Sequence, residues 1–155
     1  MRIVIVPEAR ANEQSNTDKS KPAATVEGIR LLSVPGSFAV CKLATGSPIP
    51  TWATTGDLFT VTRTADELSV VCRQEVVPEG VTCERDWCCL RVAGTMPFTL
   101  VGVLASLTTP IARAGIGVFA FSTYDTDYLL VKTNEMCKAV AALRAGGHEV
   151  EACDV

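Results

Sequence analysis

The residues of this chain that could do chemistry gather in one stretch, Phe121-Ser122-Thr123-Tyr124-Asp125-Thr126-Asp127-Tyr128. Two carboxylates, Asp125 and Asp127, stand among the hydroxyls of Thr123, Tyr124 and Thr126. An apolar run, Ile116 to Phe121, leads in, and Leu129 to Val131 leads out. A carboxylate can accept hydrogen bonds from an ammonium group. A ligand carboxylate needs N–H donors, and a glycine turn such as Gly115-Ile116 can offer them from the backbone without steric hindrance. Together these groups suit a zwitterion such as an amino acid. On an extended strand Thr123, Asp125 and Asp127 would share one face, with Tyr124 and Thr126 on the other. Asp and Thr at a turn also serve nearby backbone alone, which is the role expected for Asp125. An Asp-x-Asp pair can hold a divalent metal, but no nucleotide-binding α/β pattern surrounds this one.

Other chemistries find less support. The seven cysteines are Cys41, Cys72, Cys83, Cys88, Cys89, Cys137 and Cys153, with no C-x-x-C pair. An odd count without an export signal predicts a reduced, cytoplasmic chain whose thiols pack as small hydrophobes. His148 is the only histidine. It has no identifiable Ser or Cys partner, and is expected to be a surface or strand residue rather than a base. The net charge is −3 and the cations are scattered, so no electrostatic footprint for nucleic acid exists. No apolar run approaches the roughly 18 to 20 residues of a membrane helix. Phosphate loop, nucleophile elbow, triad spacing and paired zinc ligands are all missing. Neither a metal nor a cofactor is expected, and the chain reads as non-catalytic.

The elements that must position the polar stretch follow from periodicity. Of 155 residues, 48% are apolar, ample for a packed core. Residues 1–28 are mostly polar and read as a flexible arm. Shifting the rest by 59 residues, which lays Thr64 on Thr123, brings matching features together. Leu31 meets Leu90, Gly56 meets Gly115, and Asp66 meets Asp125. Val70-Val71-Cys72 meets Leu129-Leu130-Val131. The offset is constant, so two copies of one unit are expected, 29–87 and 88–155.

In the second copy Cys88 to Val92 reads as a strand, and Phe98 to Ala114 as a helix disturbed at Pro110. Ile116 to Ser122 and Asp127 to Lys132 read as a hairpin. A second helix, Glu135 to Arg144, follows an Asn134 cap, and His148 to Val150 is a last strand. The first copy has strands at 31–34, 37–43, 58–64 and 67–73, with its helices shortened to turns near 50–55 and 75–80. The order β-α-β-β-α-β is the ferredoxin-like pattern. The predicted fold is therefore α+β, with two tandem ferredoxin-like units, antiparallel sheets and helices on one face. Asp127 is the main point of difference between the copies, since Leu68 occupies the matching position.

Two such units resemble the ACT domain. Val34-Pro35-Gly36-Ser37-Phe38-Ala39-Val40, Thr62 to Cys72 and Ile116 to Val131 look like short stand-alone tandem-ACT proteins. These are similar to the ACT halves of cytosolic arginine sensors and, more distantly, to aspartate kinase regulatory domains. The resemblance implies a regulatory, amino-acid-binding homodimer, paired through its sheets or helices, with the ligand at an ACT–ACT interface. It places ligand contacts at Gly115, Ile116, Thr123, Tyr124, Asp125, Thr126 and Asp127, with Asp127 facing a cationic group. A ligand-free interaction module and a small enzyme on the same scaffold are the competing readings.

Overall fold

The computed structural model describes Val26 and residues 28–151. Apart from Val26 and Gly28, the arm expected over 1–28 lies outside the described residues. The elements in order are β1 (Arg30–Leu43), β2 (Thr60–Arg63), β3 (Leu68–Arg73), β4 (Cys83–Val92), α1 (Val103–Arg113), β5 (Val118–Ser122), β6 (Asp127–Lys132), α2 (Met136–Ala145) and β7 (Glu149–Glu151). Short 3-10 turns occupy Thr51–Thr54, Gln74–Val76 and Thr133–Glu135. None of the described helices is long and apolar enough to cross a membrane.

Two expectations about the sheet need correction. The strands expected at 31–34 and 37–43 are one strand, and the two expected sheets are one of seven strands, ordered β2-β3-β1-β4-β6-β5. β7 lies beside β1 and runs parallel to it. The physical reason is the length of β1. Its first half, Leu31 to Val34, pairs with the end of β4, and its second half pairs with β3 and the start of β4. The first half thereby takes the place beside β4 that the returning β7 would otherwise fill. Both β1 and β7 run opposite to β4, so they are parallel to each other.

β1 stays continuous because it bulges. The register with β4 shifts between Val34 and Phe38, where Pro35 and Gly36 stand. Gly36 has φ +84°, a conformation only glycine adopts without cost. A Cβ there would also meet the Arg73 guanidinium. That guanidinium donates to the Pro35 carbonyl and pairs with Asp57 at 3.0 Å. It also sits over the Phe38 ring, 4.7 Å from the centroid. Arg73 beside Asp57 lowers the acid's pKa.

Both helices pack on one face of the sheet. Leu107, Ile111, Met136, Ala139 and Leu143 form a single buried cluster with Leu31, Leu90, Val92, Leu129 and Val131. On the other face Phe38, Val71, Cys89 and Leu130 are buried under half-buried Trp87, Phe119, Phe121 and Tyr128. Burial pushes the Cys89 thiol up to about 12. α1 starts at Val103, later than predicted, because Leu100 closes a turn on Pro97 and Gly102 is left-handed. α2 starts after a 3-10 turn, and no side chain caps it.

Pro110 lies inside α1, and its missing N–H would free the carbonyl of Ser106, four residues earlier. His148 takes that acceptor, with Nε2 donating to the Ser106 oxygen at 3.1 Å. The expected surface histidine is therefore a core residue, 4% exposed.

Two outcomes test this scaffold. Gly94→Ala, at φ +81° with open space around it, should cost about 1 kcal/mol of left-handed strain. Gly36→Ala should cost clearly more in a urea titration, because it also displaces Arg73. His148→Leu should lose about 1 to 3 kcal/mol by orphaning the Ser106 carbonyl, and His148→Gln should recover part of that.

Candidate ligand-binding site

The β5–β6 hairpin is closed by threonine. The Thr123 N–H donates to the Thr126 carbonyl at 2.8 Å, and the Thr126 N–H donates to Thr123 Oγ1 at 3.3 Å. Tyr124 and Asp125 form the two-residue tip between them. The β2–β3 hairpin repeats this geometry at Thr64 and Glu67. Thr126 is further committed, since its hydroxyl donates to the Val92 carbonyl at 2.7 Å. That bond ties the tip to the end of β4. The Met96 N–H donates to the Asp125 carbonyl at 2.8 Å and brings the 94–102 loop against the hairpin.

Between this loop and the hairpin lies a cavity of about 200 Å³. Met96, Pro97, Phe98, Leu100 and Val103 form one wall, and Ser122 to Asp127 the other. Val103 is the first residue of α1, whose first turn has no side-chain cap. The leading N–H groups of a helix lack intrahelical partners and carry a partial positive charge. An anion placed there would meet those donors.

Asp127 supplies the opposite charge. It is 9% exposed and stands opposite Ser122 in the ladder. The Ser122 hydroxyl donates to Asp127 Oδ1 at 2.5 Å. A carboxylate has about four acceptor positions, and Ser122 uses one. The matching residue, Leu68, is fully buried, and β3 and β6 share one burial pattern. The architecture thus offers an apolar slot, and this hairpin fills it with an acid. A buried carboxylate is costly unless it is hydrogen-bonded or paired.

The seven residues singled out in the sequence do not converge. Thr123, Tyr124, Asp125, Thr126 and Asp127 line the cavity. Gly115 and Ile116 do not, because they lie at the far end of α1. Their N–H groups donate to Ala112 and Ile111, so the donors expected there are spent. Asp125 does not share a face with Asp127, because residues 123–126 turn rather than extend. Tyr124 is 80% exposed and packs edge-on against Phe98, with centroids 5.0 Å apart. Sequence reasoning missed the loop wall, having read Phe98 as the start of a helix. Pro97 and Gly102 were the available signals. Among the described residues no group of three or more acids, cysteines or histidines is placed to hold a metal. A second cavity, of about 300 Å³, is lined by Leu32, Asp57, Leu58, Arg91 and Tyr128 among others. Its acid is already paired with Arg73.

An ACT-domain family model matches residues 82–145, and a second model, of an N-terminal domain, matches residues 36–80. The crystal structure of protein Atu0741 from Agrobacterium tumefaciens is similar over 84% of this chain and 97% of its own, with 34% identity and a TM-score of 0.79. Protein VC0802 from Vibrio cholerae, described as a possible transport protein of unknown function, is 17% identical. It aligns over 77% of this chain and 91% of its own, with a TM-score of 0.64. The regulatory subunit of aspartate kinase from Thermus thermophilus is 9% identical, aligned over 72% of this chain and 93% of its own, with a TM-score of 0.51. These last two share the fold. No curated protein matches the sequence.

Asp127→Leu separates the acid's structural role from its chemical one. Its unfolding free energy from a urea titration should equal the parent's or exceed it by about 1 kcal/mol, because an incompletely paired buried carboxylate is replaced by the residue of the other hairpin. A loss above that scale would make Asp127 a structural requirement of the hairpin.

Proposed function

The chain belongs to the ACT-domain family, and from that premise we propose that it is a non-catalytic regulatory protein that binds an amino acid or a similar small zwitterion. The observation that carries this reading is the cavity holding Asp127 at one side and the uncapped start of α1 at the other. Asp127 receives the ligand's ammonium group, with Ser122 fixing its orientation. The free N–H groups at Val103 and just after it receive the ligand's carboxylate. A volume of about 200 Å³ lies below the roughly 300 to 1,000 Å³ of drug-sized sites and suits a metabolite of amino-acid size.

The reading also takes the chain as two tandem ACT units, 29–87 and 88–151 over the described residues. Its support is the repeated threonine closure and the matching 3-10 turns at Gln74–Val76 and Thr133–Glu135. The two family models meet near the same boundary. The first unit keeps the strands but has only a 3-10 turn where α1 stands in the second. It also has Leu68 in place of the acid, so the hairpin carboxylate belongs to the second unit alone.

Phe98, 77% exposed, and Tyr124 line the cavity and stand in solvent, and Val101 of the same loop is also 77% exposed. Apolar side chains around an open polar cavity are suited to being covered by another protein surface. A homodimer that closes the mouth with a second ACT unit would put the ligand at an ACT–ACT interface. Regulation then follows from population shift, because a ligand moves the equilibrium between two packings only by its differential affinity for them.

A thermal-shift screen of the twenty amino acids tests the reading. A ligand at 100 times its Kd should stabilise the chain by about 2.7 kcal/mol. Asp127→Asn should abolish the shift while leaving the ligand-free melting temperature close to the parent's. Silence across all amino acids at millimolar concentration would favour a ligand-free interaction module instead.

A further inference from the structure

Three thiols converge in the first half of the sheet, away from the ligand cavity. Cys41 on β1 stands directly opposite Cys83 on β4. On the other side of β1, Cys72 on β3 stands opposite Ala39, diagonal to Cys41. All three belong to one apolar cluster with Ala53, Val70 and Val77. Residues facing each other across a ladder point to the same side of the sheet, so the Cys41 and Cys83 side chains are neighbours.

The ladder's hydrogen bonding sharpens this. The Lys42 N–H donates to the Thr82 carbonyl at 2.9 Å. Lys42 and Thr82 are therefore the hydrogen-bonded pair, and Cys41 and Cys83 occupy the adjacent non-hydrogen-bonded position. Antiparallel strands are closest there, with Cα atoms about 4.5 Å apart. A disulfide needs Cα atoms about 4.4 to 6.8 Å apart. The diagonal relation to Cys72 is longer, about 7 to 8 Å, and is the poorer fit.

We propose that Cys41 and Cys83 are an oxidisable pair that a peroxide closes into a disulfide, locking β1 to β4 at the outer end of their ladder. Cys83 is half-buried while Cys41 is 1% exposed, so the peroxide meets Cys83 first. The Cys83 sulfur attacks one peroxide oxygen. An S–O bond forms, the O–O bond breaks, and the departing hydroxide leaves as water with the thiol proton. The Cys41 sulfur then attacks the Cys83 sulfur. The S–S bond forms, the S–O bond breaks, and a second water carries away the Cys41 proton. Two thiols and one peroxide thus give one disulfide and two waters. The neighbouring Cys72 thiol and burial raise the pKa of the Cys41 thiol, which makes it a poor first nucleophile. Contact across the ladder is what lets it complete the second step.

The test uses the full chain, reduced, freed of reductant and exposed to hydrogen peroxide. The intact mass should fall by about 2 Da for each disulfide. A digest should contain a linked peptide joining Cys41 to Cys83, which dithiothreitol reverses. Cys83→Ser should lose that linked peptide, and Cys137→Ser, at an exposed site, should keep it. Differential alkylation of the unaltered chain gives the same answer without a variant: Cys41 and Cys83 should be protected together. Oxidation confined to Cys137, or a Cys41 to Cys72 link, would overturn the proposal.

Discussion

The β1–β4 ladder is the constraint on which the rest of the molecule depends. β1 borders β4 along nearly all of its length, from Leu31 against Val92 to Cys41 against Cys83. Every other described strand attaches to one of these two directly or through one neighbour, β2 through β3 and β5 through β6. β3 and β7 flank β1, while β6 flanks β4 and carries β5 outward. Both strands of this pair send side chains into each layer of core. Leu31 and Leu90 meet the helices, while Phe38 and Cys89 lie on the other face. The ladder has to bend twice to do this. β1 bulges at Pro35-Gly36. β4 shifts register between Glu84 and Trp87, where Asp86 has φ 63°. Its N–H is held by the Gln74 side chain at 3.0 Å. Bulges increase local twist and are placed features rather than defects.

The hairpin site follows from the same scaffold with one substitution of character. The threonine closure, the strand burial pattern and the 3-10 turn after the strand recur at Thr64 and at Thr123, so they are the architecture of a hairpin and carry no function by themselves. What differs is the residue at the head of the second strand. Leu68 makes that position a fully buried core site, and Asp127 makes it a carboxylate with one hydroxyl donor. Stability alone would favour leucine, since each unfilled acceptor of a buried carboxylate costs free energy that an apolar side chain does not. The acid therefore points to chemistry rather than to folding.

Much of this was legible in the sequence. The hairpin strand Asp127–Lys132 was read residue for residue, and the 59-residue offset between Thr64 and Thr123 appears in the hydrogen bonds of both turns. The errors have definite causes. A single sequence gives no sign that β1 would insert between β4 and β7, because strand pairing over long separations is decided by tertiary packing, not local pattern. Leu100, at helical spacing from Val103 and Leu104 of α1, made the helix read too early, although Pro97 and Gly102 marked a loop. Gly115-Ile116 looked like a source of free donors, but the turn that ends a helix consumes its own N–H groups on the last carbonyls. His148 looked solitary because its partner is a backbone carbonyl left open by a proline 38 residues away (148 minus 110), which no spacing rule reveals.

The loop 94–102 is where binding and regulation would meet in the proposed reading. It is fixed to the hairpin by the Met96 N–H to Asp125 carbonyl bond and by the contact of Phe98 with Tyr124, yet its apolar side chains stand in solvent. Leucine, valine and phenylalanine held outward by a loop have no folding benefit within a single copy, since their burial is what would stabilise them. A ligand bridging Asp127 and the start of α1 would contact this loop along one wall and leave its outer side chains as the surface offered to a partner. The ligand's binding energy would then be coupled to assembly without any large motion, because the same few residues form the wall of one site and the rim of the other. Coupling of that kind is reciprocal: a partner that orders the loop must raise the ligand's affinity by the factor with which the ligand raises the partner's.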